Sequence, residues 1–337
     1  MINTLISLMP GPAEIAGVVQ TAFQRPPVSH RSPDFVRRFE AVRARLHTLT
    51  GAPHVALFQG SGTLANDAIA SCLSGDGMIL VNGEFGRRIA DQAARWQLRT
   101  RVLEWPWGTA WDLDRVRDEI GSARWIWAVH LETSTGMVND VHGLSQVARE
   151  AGARLCLDCV SSLASVPLDL SDVWLASGVS GKSLGAYAGL AFVFASEVPR
   201  PAHPVPAYLD VAETIRTEGP RFTFSSPLLF ALDRALEMHY DYARLGCLVR
   251  AGLRQAGIEP LVGDDAAAPT VTTFAPPFPG FLERCRSLGY ELGGDSDYLA
   301  ARNLVQIATM GAVSPRHIED FFAQQLFANH EVSLQAG

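Results

Sequence analysis

Seven short apolar runs, at 54–59, 78–82, 100–105, 125–130, 153–158, 173–176 and 190–195, punctuate the first part of the chain. They are rich in Val, Ile, Leu, Phe and Trp, and several are nearly continuous rather than alternating. That pattern predicts strands buried on both faces. Between them, 64–73, 87–97, 113–120 and 144–151 read as helices, and the alternation predicts a largely parallel sheet covered on both sides. An earlier helix at 34–50 carries Phe35, Phe39, Val42, Leu46 and Leu49 on one face, with Asp34 after Pro33 as its start and Gly51 as its stop.

The texture changes after Ala195. Residues 197–227 hold six prolines and little periodicity, which reads as a long connection. A helix-rich stretch follows at 228–257, then a strand at 270–274, a helix at 280–288, a strand at 304–309 and a last helix from Ser314-Pro315 to Phe327. Ser314 at the N-cap and Pro315 in the first helical position are a good start signal. The pattern predicts an α/β chain in two parts: a large domain over 1–225, N-terminal arm included, and a smaller α/β domain over 226–337.

The length of 337 residues suits two such lobes, and 47% apolar with 19% charged residues is ordinary for a globular chain. A net charge of −7 without Lys/Arg runs leaves no footprint for nucleic acid. The first ten residues lack a basic start and a small-residue cleavage site, and no apolar stretch reaches the ~18–20 residues of a membrane span, so neither secretion nor a membrane partner is expected. The five cysteines are scattered. Cys156 and Cys159, three apart around a strand end, face opposite ways, which suits neither a dithiol nor a metal clamp. A cytoplasmic setting and no bound metal are expected. Among 28 Lys+Arg residues there is one lysine, Lys182. Arginine cannot replace amine chemistry, because it stays protonated.

Ligands of open parallel sheets sit beyond the carboxyl ends of the strands. Gln59-Gly-Ser-Gly-Thr63 leads from the first strand into a helix, and its amides with the Ser61 and Thr63 hydroxyls suit a phosphate. Read alone, it is equally an ordinary glycine turn. Asn82-Gly-Glu-Phe-Gly86 puts Phe85 where a flat ring could stack. Glu132-Thr-Ser-Thr-Gly136 is a dense hydroxyl turn, and Asp158 ends the fifth strand, where it could cap a helix or hold a pyridinium nitrogen protonated. Lys182 follows in a Gly/Ser loop, 24 residues after Asp158. Together these are a phosphate anchor, a ring sandwich, a hydroxyl partner, a ring-nitrogen partner and a Schiff-base amine, the parts that pyridoxal 5′-phosphate needs.

With these residues in order, the chain resembles the class V aminotransferases of fold type I. The resemblance is carried by Met9-Pro-Gly-Pro12, His30-Arg-Ser-Pro-Asp-Phe35, Gly60-Ser-Gly-Thr63, Asn82-Gly-Glu-Phe-Gly86, His130-Leu-Glu-Thr-Ser-Thr-Gly136, Asp158-Cys-Val-Ser-Ser162, the Lys182 loop and Arg221-Phe-Thr-Phe-Ser-Ser-Pro227. It is most similar to 2-aminoethylphosphonate–pyruvate and alanine–glyoxylate (serine–pyruvate) aminotransferases. It implies that Lys182 is the catalytic amine, that Asp158 pairs with the ring nitrogen, that Phe85 stacks on the ring and that Thr133 bonds near its hydroxyl. It further implies that Ser61, Gly62 and Thr63 hold the phosphate, joined by Thr223 or Ser225 from a second subunit, so that a homodimer shares its sites. Three departures stand out: Gly181 where a polar phosphate ligand is frequent, Phe222 where some relatives have Tyr, and Gln306 where the family's arginine forks onto the substrate carboxylate. Gln306 implies an unusual donor or acceptor, or an acid group held by another arginine such as Arg31. The resemblance thus implies transfer of an amino group from a small amine or amino acid to a 2-oxo acid. A lyase, a decarboxylase or a specialised biosynthetic enzyme on the same cofactor stays open, as does a non-catalytic binding protein of the same fold.

Overall fold

The computed structural model describes residues 5–324. Its strands, in chain order, are β1 (Ile6–Leu8), β2 (His54–Gly60), β3 (Asp76–Val81), β4 (Arg99–Glu104), β5 (Trp125–Val129), β6 (Leu131–Glu132), β7 (Met137–Val138), β8 (Arg154–Asp158), β9 (Leu175–Val179), β10 (Gly189–Ala195), β11 (Val271–Phe274), β12 (Tyr290–Leu292) and β13 (Val305–Ala308). All seven apolar runs of the first part become strands of one seven-stranded sheet, in the order β2-β10-β9-β8-β5-β3-β4. The sheet is parallel except for β10, which runs against both neighbours. The chain is thus α/β, with the mostly parallel seven-stranded sheet that the pattern and the resemblance imply.

The helices of the large lobe are α1 (Gly17–Phe23), α2 (Pro33–Thr50), α3 (Gly62–Ala70), α4 (Glu84–Arg95), α5 (Leu113–Glu119), α6 (Val141–Glu150), α7 (Val211–Arg216) and α8 (Ser226–Ala235). On one sheet face, Phe35, Phe39, Val42 and Leu46 of α2 join Leu144 and Val147 of α6 and Leu229 and Leu232 of α8 in one buried cluster. On the other face, Ala65, Ala68 and Ile69 of α3 pack with Ile89 and Ala93 of α4. Cys156 lies in the second cluster and Cys159 in the first, so the two thiols do point to opposite sides, and burial pushes both far above the usual thiol range.

The small lobe adds α9 (Tyr242–Gln255), α10 (Phe281–Ser287), α11 (Asp297–Ala300) and α12 (Pro315–Phe322), around a core that includes Val249, Phe274, Ile307 and Phe321. Ser314 and His317 form a capping box at the start of α12. The expected end of that helix at Phe327 lies outside the described residues. Contacts cross the expected 225/226 division in both directions. Strand β1 pairs in parallel with β12, and Leu8 belongs to the small-lobe core. Conversely, α8 contributes Leu229, Phe230 and Leu232 to the large-lobe core. The long connection at 197–227 also contains α7, which the prolines around it obscure in the sequence.

Tight packing makes one glycine in the sheet measurable. Gly77 of β3 pairs with Trp125 of β5, and a Cβ at Gly77 would lie 2.2 Å from the Trp125 ring. Gly77→Ala is expected to lower stability by about 1–3 kcal/mol, read as a drop in the urea midpoint at constant slope. An unchanged midpoint would show that the ring yields at no cost.

Candidate active site

The site lies at the carboxyl ends of the parallel strands, where α3 and α4 begin. After β2 the chain turns at Gly60 and Ser61 into α3, whose N-cap is Ser61. Ser61 makes no side-chain cap bond, so its hydroxyl and the first amides of α3 are left for another acceptor. The glycine at 62 has a steric cause: a Cβ there would lie 2.7 Å from Val160 Cγ2. Gly62 and Thr63 line a cavity of about 430 Å³ together with Asn66, Phe85, Arg88, Asp158 and Val160.

Phe85 is aimed by a carboxylate that the sequence reading passed over. Glu132 is wholly buried, and the amides of Phe85 (3.2 Å) and Gly86 (3.0 Å) at the start of α4 donate to it. The Ser134 amide and hydroxyl donate as well, at 3.2 and 2.5 Å. Burial raises the Glu132 carboxyl, and these four donors pull it back. An anion at a helix N-terminus is also favoured by the helix dipole. The hydroxyl turn therefore serves first to hold Phe85. Thr133 is buried and donates to Ser161 Oγ at 2.6 Å.

Asp158 ends β8 and is buried. Asn66 Nδ2 donates to one carboxylate oxygen at 2.8 Å and the Val160 amide to the other at 2.9 Å. Burial pushes this carboxyl up, while Asn66, the Val160 amide and the charge of Lys182 push it down. Asn66 is a second residue that sequence reasoning missed; its signal is an amide among the small apolar residues of α3. Its Oδ1 is buried without a partner among the described residues.

Lys182 follows β9 in the turn Ser180-Gly-Lys. The glycine before it is dictated by backbone, since a Cβ at Gly181 would lie 2.7 Å from Ala188 Cα. That explains why no phosphate-binding side chain stands there. Lys182 Nζ donates to Pro10 O at 2.5 Å, and a Cβ on Gly11 would approach Nζ to 3.1 Å. The Pro10-Gly11 turn therefore covers the amine. Burial lowers the lysine to about 8; Asp158 opposes the shift and Arg88 adds to it.

The remaining expected residues divide into two groups. Gln306 meets the hydroxyl turn: its Nε2 donates to Thr133 O (2.6 Å), Ser134 O (3.2 Å) and Thr273 Oγ1 (2.8 Å). Two of these acceptors are carbonyls, so the amide orientation is fixed by chemistry. Both protons are engaged and Oε1 is buried without a partner among the described residues. Arg31, by contrast, is exposed ahead of α2 and is not among the cavity-lining residues. Thr223 is exposed, and Ser225 Oγ caps α8. Gln59 ties their backbone beside the phosphate-suited turn, donating to Thr223 O at 2.9 Å and accepting from the Ser225 amide at 2.7 Å.

The residues present fit pyridoxal 5′-phosphate. A free helix start with two hydroxyls suits the phosphate, a buried carboxylate suits a ring nitrogen, and an aromatic wall and a weakened amine complete the set. The comparisons agree. The family described as "Aminotransferase class-V" matches residues 19–206. A 2-aminoethylphosphonate–pyruvate transaminase of Pseudomonas putida is 30% identical over 270 residues, covering 71% of this chain and 73% of that protein. A protein of the same description from Syntrophobacter fumaroxidans is 29% identical across 93% of both chains. The crystal structure of an alanine–glyoxylate aminotransferase from Nostoc sp. superposes with a TM-score of 0.87 at 25% identity, covering 97% of this chain and 96% of that one.

Two outcomes follow from this geometry. Because Lys182 is the one lysine, an amine-selective reagent on the cofactor-free chain, read by mapping the Lys182 peptide apart from the α-amine, reports this side chain. Its reaction is expected to rise with pH through a midpoint near 8 and to shift lower in Asp158→Asn, because the Asp158 charge supports the ammonium. A midpoint at the ordinary 10.5 would contradict the site's electrostatics. Asn66→Leu strips one donor from a buried carboxylate and is expected to cost about 1–3 kcal/mol in urea unfolding; no loss would mean that Asp158 does not depend on it.

Proposed function

The chain belongs to the class V aminotransferases, and from that premise we propose that it moves an amino group from a small 2-aminoethylphosphonate-, serine- or alanine-like donor to a 2-oxo acid. The enzyme is a pyridoxal-phosphate-dependent aminotransferase. The observation that carries the assignment of its site is the meeting of its only lysine with Asp158, each acting on the other's charge, beside a cavity that also holds Phe85 and the start of α3.

When bound, pyridoxal phosphate supplies a carbonyl that accepts an amino group and a ring that draws off negative charge. The α3 amides with the Ser61 and Thr63 hydroxyls would bind the phosphate. Asp158, to which Asn66 and the Val160 amide donate, would sit against the ring nitrogen and hold its proton. Phe85, seated by Glu132, would cover a ring face, and Thr133 with Ser161 would offer hydroxyls to the ring's own hydroxyl. Lys182 Nζ, weakened to about 8 by burial, would carry the proton from the substrate's Cα to the cofactor's C4′. The Pro10-Gly11 turn covers Lys182 Nζ, and the Gln306 bond joins β13 to the hydroxyl turn.

A homodimer is part of the proposal. Phe222 is 39% exposed, and Thr223 beside it is exposed next to Gln59 and the phosphate-suited turn. This supports a segment offered to a second subunit's phosphate, with Thr223 free to reach and Ser225 engaged in its cap. Cytoplasmic residence is also proposed, supported by four buried, unpaired cysteines. No helix among the described residues is long and apolar enough to cross a membrane. The engaged amide of Gln306 favours a second reading, a lyase on the same cofactor, because the usual carboxylate fork is missing.

Borohydride treatment of the holoenzyme is expected to fix the cofactor on Lys182, and Lys182→Ala is expected to slow the amino-transfer half-reaction by at least about 10²-fold. A donor panel monitored by cofactor absorbance separates the readings. Loss of the absorbance band with a donor and its return with a 2-oxo acid is the aminotransferase outcome. Keto or decarboxylated products formed without loss of the band would favour the lyase.

A further inference from the structure

An acidic substrate group needs a fixed, unspent pair of N–H donors, and Gln306 has none to give. Arg88 has them. It stands one helical turn after Phe85 on α4, so the two side chains share a face. Its guanidinium carbon lies 5.0 Å from the centre of the Phe85 ring and 5.6 Å from that of Tyr298. Those rings meet edge to face at 6.2 Å. Nε donates to Glu84 Oε1 at 3.0 Å, and among the described residues neither terminal nitrogen has a partner. Two rings and one carboxylate thus hold the guanidinium plane, while its outer edge is open. Held in this way, it gives up little freedom when it binds a planar or tetrahedral anion.

The position is equally specific. Arg88 lines the same cavity as Asp158 and Phe85, and its charge reaches Lys182. Tyr298 comes from α11 of the small lobe, so the open edge lies where the two lobes meet. Tyr298 is in turn 6.2 Å from Trp107, and the Arg302 guanidinium lies 3.6 Å over Trp107, which extends the support outwards.

We propose that Arg88, rather than a residue of β13, is the specificity-determining residue that takes the acidic group of the substrates, a carboxylate or a phosphonate, on its two free terminal nitrogens. This deepens the aminotransferase reading and rests on it. Gln306 then acts as a bolt between β13 and the hydroxyl turn, and plays no direct part in acid recognition.

The test uses the holoenzyme and two unreactive acids, acetate and methylphosphonate, titrated against the absorbance of the bound cofactor, so that no turnover is needed. Arg88→Gln is expected to weaken both acids about tenfold or more, the loss of a charged bidentate pair, while the cofactor stays bound. Arg88→Lys keeps the charge without the fork and is expected to lose most of that affinity too; it decides the matter if Arg88→Gln does not fold. Gln306→Arg in the Arg88→Gln background is expected to restore acetate binding. The proposal is overturned if the wild type responds to neither acid, or if both Arg88 variants bind them as the wild type does. It is also overturned if the variants bind the cofactor more weakly yet, once saturated with it, bind the acids as the wild type does, which would assign Arg88 to the cofactor phosphate. A preference between the acids identifies the substrate's acidic group. If no donor supports transfer while acid binding still depends on Arg88, it is the aminotransferase reading that fails and not this one.

Discussion

A carboxylate buried at the end of a central strand is unstable unless its surroundings keep it charged, and Asp158 sets that demand on everything near it. Burial still holds its carboxyl above the usual range, and four groups oppose that: the Asn66 amide from α3, the Val160 amide from the turn after β8, the ammonium of Lys182 from the turn after β9 and the Ser177 hydroxyl of β9. Each comes from a different element, so the sheet order and the placing of α3 are conditions of the charge. The same burial weakens Lys182, which makes its amine a usable base near neutral pH. Carboxylate and amine thus tune each other, and neither has its useful property outside this fold.

The second buried carboxylate solves a different problem. Glu132 receives the first amides of α4 and so converts the loop after β5 into the seat of Phe85. Gln306 ties the same loop to the small lobe through Thr133 and Ser134. The ring wall, the hydroxyls and the lobe interface are therefore one hydrogen-bonded unit. A change at β13 is felt at Thr133 before it is felt by any substrate.

Local pattern carried much of this into the sequence. Apolar runs of strand length marked all seven strands of the main sheet, and Asp158, Lys182, Phe85 and the Ser61–Thr63 turn stood out as chemistry at strand ends. What stayed hidden depends on contacts between distant segments. Asn66 reads as one polar residue in a helix until α3 is laid over β8. Glu132 reads as part of a hydroxyl turn until α4 is docked on it, and Arg88 as a surface charge until Tyr298 arrives from the small lobe. The strand at 6–8 is too short to announce itself and exists through its pairing with β12. Arg31 is the opposite case, a motif residue that its own chain leaves exposed and outside the cavity.

The account turns on Asp158 holding a proton on the cofactor's ring nitrogen. The nitrogen NMR shift of isotope-labelled pyridoxal phosphate in the holoenzyme reports that proton directly. A protonated ring nitrogen from about pH 6 to 9 in the wild type, lost in Asp158→Asn with the cofactor still on Lys182, is the predicted result. An unprotonated nitrogen in the wild type, or a proton that persists unchanged in Asp158→Asn, would contradict it.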